Sequence, residues 1–156
     1  MFQGDFRVRL NPTLAAILLA GLVAGTVDIG AASLINRAPP SLILQAIASG
    51  ILGKASFASG SNSAVLGLFL QWAISIFIAA IYIGAARTMP LLARRWILGG
   101  LAYGVAIYFT MNFVVVPLSN APFGHQAFNP AKAGLDLLAM LVFGVIVARF
   151  AHAPRA

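Results

Sequence analysis

Four apolar runs of about twenty residues, at 14–34, 64–86, 97–116 and 131–150, constrain this 156-residue chain more than any other feature. A helix of about 20 residues covers the roughly 30 Å of hydrocarbon in a bilayer and satisfies every backbone N–H and C=O within itself. Each run is dominated by Ala, Leu, Ile, Val and Phe; the fourth is weaker at its start, where Lys132 and Asp136 interrupt it one helical turn apart. Apolar residues make up 61% and charged residues 8% of the chain, with a mean hydropathy of +0.96. Soluble domains carry about a quarter charged residues, so a water-soluble globular fold is excluded. The expectation is all-α: an integral membrane four-helix bundle forming a single transmembrane domain over 1–156.

Ten Lys and Arg stand against three acids, Asp5, Asp28 and Asp136, for a net charge of +7. The basic residues lie between the apolar runs, so the sign is read by anionic lipid head groups and by membrane topology, and nucleic acid is not an expected partner. A fifth apolar segment, 41–57, follows Pro39 and Pro40, with Ser41 as its expected N-cap. As a helix it would reach about 25 Å and is interrupted by Gln45, Ser49, Lys54 and Ser56. Charge placement decides its fate. With four spans, Arg7, Arg9, Arg87, Arg94, Arg95, Arg149 and Arg155 share one side and Arg37, Lys54 and Lys132 the other. A fifth span would scatter the basic residues with no strong bias. Four spans with cytoplasmic termini is the better reading, and 41–57 becomes a re-entrant or interfacial helix on the outer side. The first run is too long for a secretory signal and contains Asp28, so it reads as an uncleaved helix.

Polar and small side chains in a span face the bundle interior. Helical spacing groups Gly21, Gly25, Asp28 and Ala32 on one face of the first span, and Gly67, Gln71, Ser75, Ile78 and Tyr82 on one stripe of the second. Gly100, Gly104, Tyr108 and Asn112 drift around one side of the third, and Lys132, Asp136, Met140, Phe143 and Val147 form the seam of the fourth. Counting from the outer ends puts Asp28, Asp136, Gln71 and Asn112 about 9, 8, 10 and 6 Å deep, at one level of the outer leaflet. Lys54 lies on the Ile43, Ile47, Ile51 face of the short helix and not with Gln45, Ser49 and Ser56. An Asp or Lys at a helix centre costs about 2.5 to 3.5 kcal/mol on insertion scales. The expectation is therefore that Lys54, with Lys132 as a second candidate, neutralises Asp28 and Asp136 at the mouth of an outward-facing polar pocket formed by Asp28, Lys54, Gln71, Asn112 and Asp136.

Each of these residues has a structural reading beside a functional one. Asp28 is either an ion pair that pins the short helix or a proton or cation site; Asp136 is satisfied by Lys132 at i, i+4 or joins that site. Lys54 either snorkels from a helix end or pairs with Asp28. Gly21, Gly25, Gly100 and Gly104 form two G-x-x-x-G contact faces, used within the bundle or between subunits. Asn112 is expected to bond across helices, and Trp96, beside Arg94 and Arg95, to anchor at the cytoplasmic interface.

Chemistry is sparse. The chain has no cysteine, so no thiolate site, and His125 and His152 fall at opposite faces, so no metal or haem and no other cofactor is expected. There is no G-x-S-x-G elbow, no H-E-x-x-H and no phosphate loop after a strand, and an enzyme is the least expected class. The tract 59–63 reads as a flexible connection into the second span. The leading expectation is a non-catalytic accessory or scaffold protein, packing through its glycine faces in a homo-oligomer or a larger membrane complex. The alternative is a small-solute or proton-coupled transporter using the polar pocket, which with four helices and no inverted repeat would have to oligomerise to form a path.

The segments Ala20-Gly21-Leu22-Val23-Ala24-Gly25-Thr26-Val27-Asp28, Ala48-Ser49-Gly50-Ile51-Leu52-Gly53, and Tyr103-Gly104 through Met111-Asn112-Phe113 to Pro117-Leu118-Ser119 resemble small four-helix bacterial inner-membrane proteins and, more distantly, the YagU-like proteins. This chain is shorter and lacks much of the extended region between the first two spans of YagU-like proteins. The resemblance implies a bacterial inner-membrane location and no established chemistry.

Overall fold

The computed structural model describes residues 11–122 and 129–152. Arg7, Arg9, His125 and Arg155, used above for topology or metal binding, lie outside the described residues. Helix α1, Pro12–Asn36, begins where Asn11 accepts the Thr13 N–H at 3.0 Å and Pro12 supplies a first-turn residue that needs no N–H partner. It stops at Arg37, whose left-handed φ of 51° lets the Arg37 and Ala38 N–H groups close on the Leu34 and Ser33 carbonyls, just ahead of Pro39 and Pro40. Helix α2, Pro40–Leu52, starts at Pro40 with Pro39 in the capping position, so Ser41 lies inside the helix and is not its cap. A single 3-10 turn, Gly53–Phe57, follows, and then α3, Gly60–Thr88.

A short α4, Pro90–Arg94, turns the chain into α5, Trp96–Thr110. The helix then widens into one π turn, Met111–Val115, and ends as α6, Val116–Leu118. Pro117 lacks an N–H, so the ladder cannot continue in α-register there; the Val116 N–H reaches back five residues to the Met111 carbonyl. Helix α7, Pro130–His152, completes the chain. Among the described residues there is no strand, and four stretches are long and apolar enough to cross a membrane: Pro12–Asn36, Gly60–Thr88, Trp96–Leu118 and Pro130–His152. Each extends past the apolar run that marked it in the sequence.

Helix α1 packs against both α3 and α7, and α7 also packs against α5, giving the lateral order α3, α1, α7, α5. The α3 and α5 edges meet through tyrosines: the Tyr103 hydroxyl donates to the Ile78 carbonyl at 2.8 Å, and the Tyr82 and Tyr103 rings are 5.0 Å apart. The apolar core, centred on Ala24, Tyr82, Ile83, Ile107, Phe143 and Val147, fills the half of the molecule toward Trp96 and His152, whose rings stack at 5.7 Å. Large apolar side chains cover the outside; Phe77 is 66% and Phe113 70% exposed.

Helix α2 is short because Gly53 ends it with φ +59° and ψ −145°, a combination only glycine adopts without strain. It lies along the first half of α3, with the Leu44 carbonyl filling the place a side chain would need at Gly67. Buried serines stitch the junction: Ser56 Oγ donates to the Gln45 carbonyl and Ser63 Oγ to the Ser56 carbonyl, both at 2.6 Å. The tract 59–63, expected as a flexible connection, is thus mostly the ordered first turn of α3. The other end of α2 meets the chain beyond α6, where the Asn120 N–H donates to the Gly50 carbonyl at 2.9 Å. Gly53→Ala should cost about 1 to 3 kcal/mol by forcing a Cβ into that backbone conformation. Its midpoint in a thermal unfolding series in detergent should fall well below that of Gly30→Ala, a site with open space around it.

Candidate functional site

The stripe Ser63, Gly67, Gln71 and Ser75 runs down α3 with a four-residue spacing; Ser63 meets the 3-10 turn, Gly67 meets α2, and Gln71 and Ser75 meet α1. Where α2 gives way to α1, Gln71 donates its Nε2–H to Asp28 Oδ2 at 2.8 Å. Gln71 is buried and Asp28 half-buried. Asp28 sits eight residues before the end of α1, about 12 Å along the axis. One amide donor therefore meets a carboxylate between two apolar helices, about a third of the way along α1 from its outer end.

Two further sequence-singled residues join Asp28 at one place. Asp28, Asn112 and Asp136 line a cavity of about 180 Å³ enclosed by α1, the end of α5 with its π turn, and α7; Tyr108, Met111 and Met140 are also on its walls. Asn112 does not bond across helices as expected. Its Nδ2–H donates to the Tyr108 carbonyl at 2.9 Å, one turn back on the same helix, where the π turn disturbs the regular ladder. Asp136 is held by Lys132 Nζ at 3.4 Å, an i, i+4 pair with both side chains partly exposed.

Lys54 is the exception. Its expected pairing with Asp28 presumed a continuous helix over 41–57 that would carry the Ile43, Ile47, Ile51 face on to Lys54. Gly53 breaks that helix, and Lys54 stands exposed on the 3-10 turn. Among the described residues Asp28 makes no ion pair.

The four glycines of the G-x-x-x-G faces pack inside the chain. A Cβ at Gly21 would fall 2.5 Å from Ile76 Cα and one at Gly25 2.6 Å from Ser75 Oγ, so both lock α1 onto α3. Gly100 and Gly104 lock α5 onto α7, where a Cβ at Gly100 would lie 2.8 Å from the Gly144 carbonyl and one at Gly104 would meet the Met140 carbonyl. Gly144 completes that contact from the α7 side, and the signal that could have found it is the small-x-x-x-small pair Gly144 and Ala148, both of which a Cβ at Gly100 would meet.

A second cavity, of about 230 Å³, runs between α1 and α7 and is bounded by apolar side chains except at Asp28. A carboxylate with one neutral hydrogen-bond donor, opening on one polar and one apolar cavity, can hold a proton or a cation. Compared with known proteins, the chain matches no family model, no curated protein and no solved structure.

Proposed function

We propose that the chain is a multi-pass protein of the bacterial inner membrane, a four-helix bundle with α2 as an interfacial cover on its outer side, and that it works as a proton-coupled carrier of small solutes. The observation that supports the carrier reading is Asp28. An ionisable group within a membrane-spanning helix is paired or used, and among the described residues Asp28 has no cation beside it. The membrane reading draws on the four long apolar helices and on an exterior of exposed Phe, Leu and Val, a surface suited to lipid and unsuited to water. Orientation follows the basic residues: Arg87, Arg94, Arg95 and Arg149 lie at the end assigned to the cytoplasm, Arg37, Lys54 and Lys132 at the other. The inner-membrane assignment also agrees with the resemblance to YagU-like proteins.

An accessory or scaffold role remains as a second reading on one observation. The stretch from Phe113 to Leu118 is exposed throughout, with Leu118 82% exposed. That face suits lipid or a second copy of the chain; a second copy there fits the packing role, and the carrier reading needs it too, because four helices alone lack a path. The deciding experiment is reconstitution in liposomes with a trapped pH dye. Outward gradients of small amines, sugars and carboxylates are imposed in turn. Solute-dependent proton movement above that of empty liposomes is expected for one class; none for any class would remove the carrier reading.

A further inference from the structure

Asp28 is the meeting point of two unlike spaces. On one side is the polar cavity with Tyr108, Asn112 and Asp136. On the other, the 230 Å³ groove is walled by Val27, Ala31 and Leu34 of α1 and Leu135, Leu138 and Val142 of α7. Small side chains make the room, since Ala31 and Ala139 leave α1 and α7 unfilled where larger residues would close them. The groove opens sideways, with Leu34 81% and Leu138 56% exposed at its mouth.

The charges around Asp28 fix what such a space would take. From α3 comes the Gln71 amide, a neutral donor. From α7 comes Asp136, already held by Lys132. From α5 and its π turn come Tyr108 and the Asn112 amide, the latter engaged with the Tyr108 carbonyl. The turn after α2 contributes Lys54, which is exposed and makes no ion pair with Asp28. The carboxylate thus lacks a cation, and the wall beside it lacks any polar group. We infer that Asp28 binds a small amphiphilic amine in its monovalent cationic form, its ammonium on the carboxylate at the side of the polar cavity and its apolar body in the groove between α1 and α7.

The size of the groove limits that body to a single ring or a short alkyl chain. A proton and the ammonium compete for the one Asp28 carboxylate, and either leaves the site with no net charge. The inference rests on the carrier reading and names its solute, but binding is measurable without transport.

The test is calorimetric titration of the full chain in lipid nanodiscs with phenethylammonium, using protein-free discs as the blank. Methylammonium and phenethyl alcohol each supply half of the ligand. Saturable binding of phenethylammonium about tenfold or more tighter than either half is expected. It should weaken as the pH falls, and Asp28→Asn and Ala31→Leu should each lose it by about tenfold or more. Ala31 lines the apolar groove and not the polar cavity, so its enlargement blocks the body of the ligand and leaves the carboxylate in place. If Ala31→Leu fails to fold, Leu138→Phe narrows the mouth from an exposed position. Non-saturable partitioning, unchanged affinity in Asp28→Asn, or unchanged affinity in the folded groove variant each overturns the inference. Proton-coupled flux of another solute with no amine binding would sink the inference alone. Amine binding without flux would sink the carrier reading and leave the site standing.

Discussion

Gly144→Ala should lower the stability of the chain by about 3 kcal/mol, the upper end of the range for overpacked cores, because the added methyl meets backbone and not a side chain that can turn aside. A Cβ there would collide with the Gly100 carbonyl oxygen and come within 2.8 Å of the Gly104 nitrogen and 3.0 Å of its Cα. The relief open to the protein is to move α5 away from α7, which opens the contact that both helices depend on. Gly104→Ala should act in the same way through the Met140 carbonyl. The double variant should cost less than the two singles added, since helices already separated have room for the second methyl. The control lies on the same helix: Gly134 has open space around it, and Gly134→Ala should be neutral or stabilising by about 0.5 to 1 kcal/mol. Thermal unfolding of the monomer in detergent reads both. Equal midpoints for Gly144→Ala and Gly134→Ala would mean that α5 and α7 do not meet as described. Loss of an oligomer without loss of the fold would place the glycine faces between subunits.

The spans were legible in the sequence because apolar length is a local property, summed over about twenty neighbouring residues. Their ends were less so. Residues 60–63 are small and polar, yet Ser63 is buried and tied to the Ser56 carbonyl, and that partner is set by how α2 folds back on α3. The polar stripe of α3 could be read from a four-residue period, and Gln71 does reach Asp28. Lys54 could not be placed by the same arithmetic. Spacing assigns a face only while the helix continues, and one glycine with positive φ ends the register. Asn112 shows the complementary failure: its amide donates to the carbonyl four residues back on its own helix, as Asn36 does to Ala32, and a face assignment cannot exclude such a local partner. Gly144 carried a weaker form of the glycine-face signal, Gly144-x-x-x-Ala148, and which helix that face meets is set by the fold and not by the segment itself.

Asp28→Asn should abolish solute-coupled proton movement in liposomes, to within the background of empty vesicles, while leaving the protein folded and somewhat more stable. Asparagine keeps the shape of the side chain and an oxygen that accepts from Gln71 Nε2, so the α1 to α3 hydrogen bond at 2.8 Å survives. What disappears is the charge, whose immersion costs about 2.5 to 3.5 kcal/mol at a helix centre and less at the outer-leaflet depth of Asp28. A residue kept for stability would show the reverse, with the midpoint of unfolding falling as the charge is removed. Asp28→Glu retains the carboxylate one methylene further from α1, and should keep measurable flux at a reduced rate. Asp136→Asn should matter less, because Asp136 is partly exposed and already satisfied by Lys132 at 3.4 Å, so its loss frees a lysine and leaves the proton site intact. The ordering of flux is thus wild type, then Asp136→Asn, then Asp28→Glu, then Asp28→Asn at background. Flux in Asp28→Asn equal to that of wild type would remove Asp28 from the transport step. A fall in both stability and flux would make Asp28 a structural residue, a pin between α1 and α3 and nothing more.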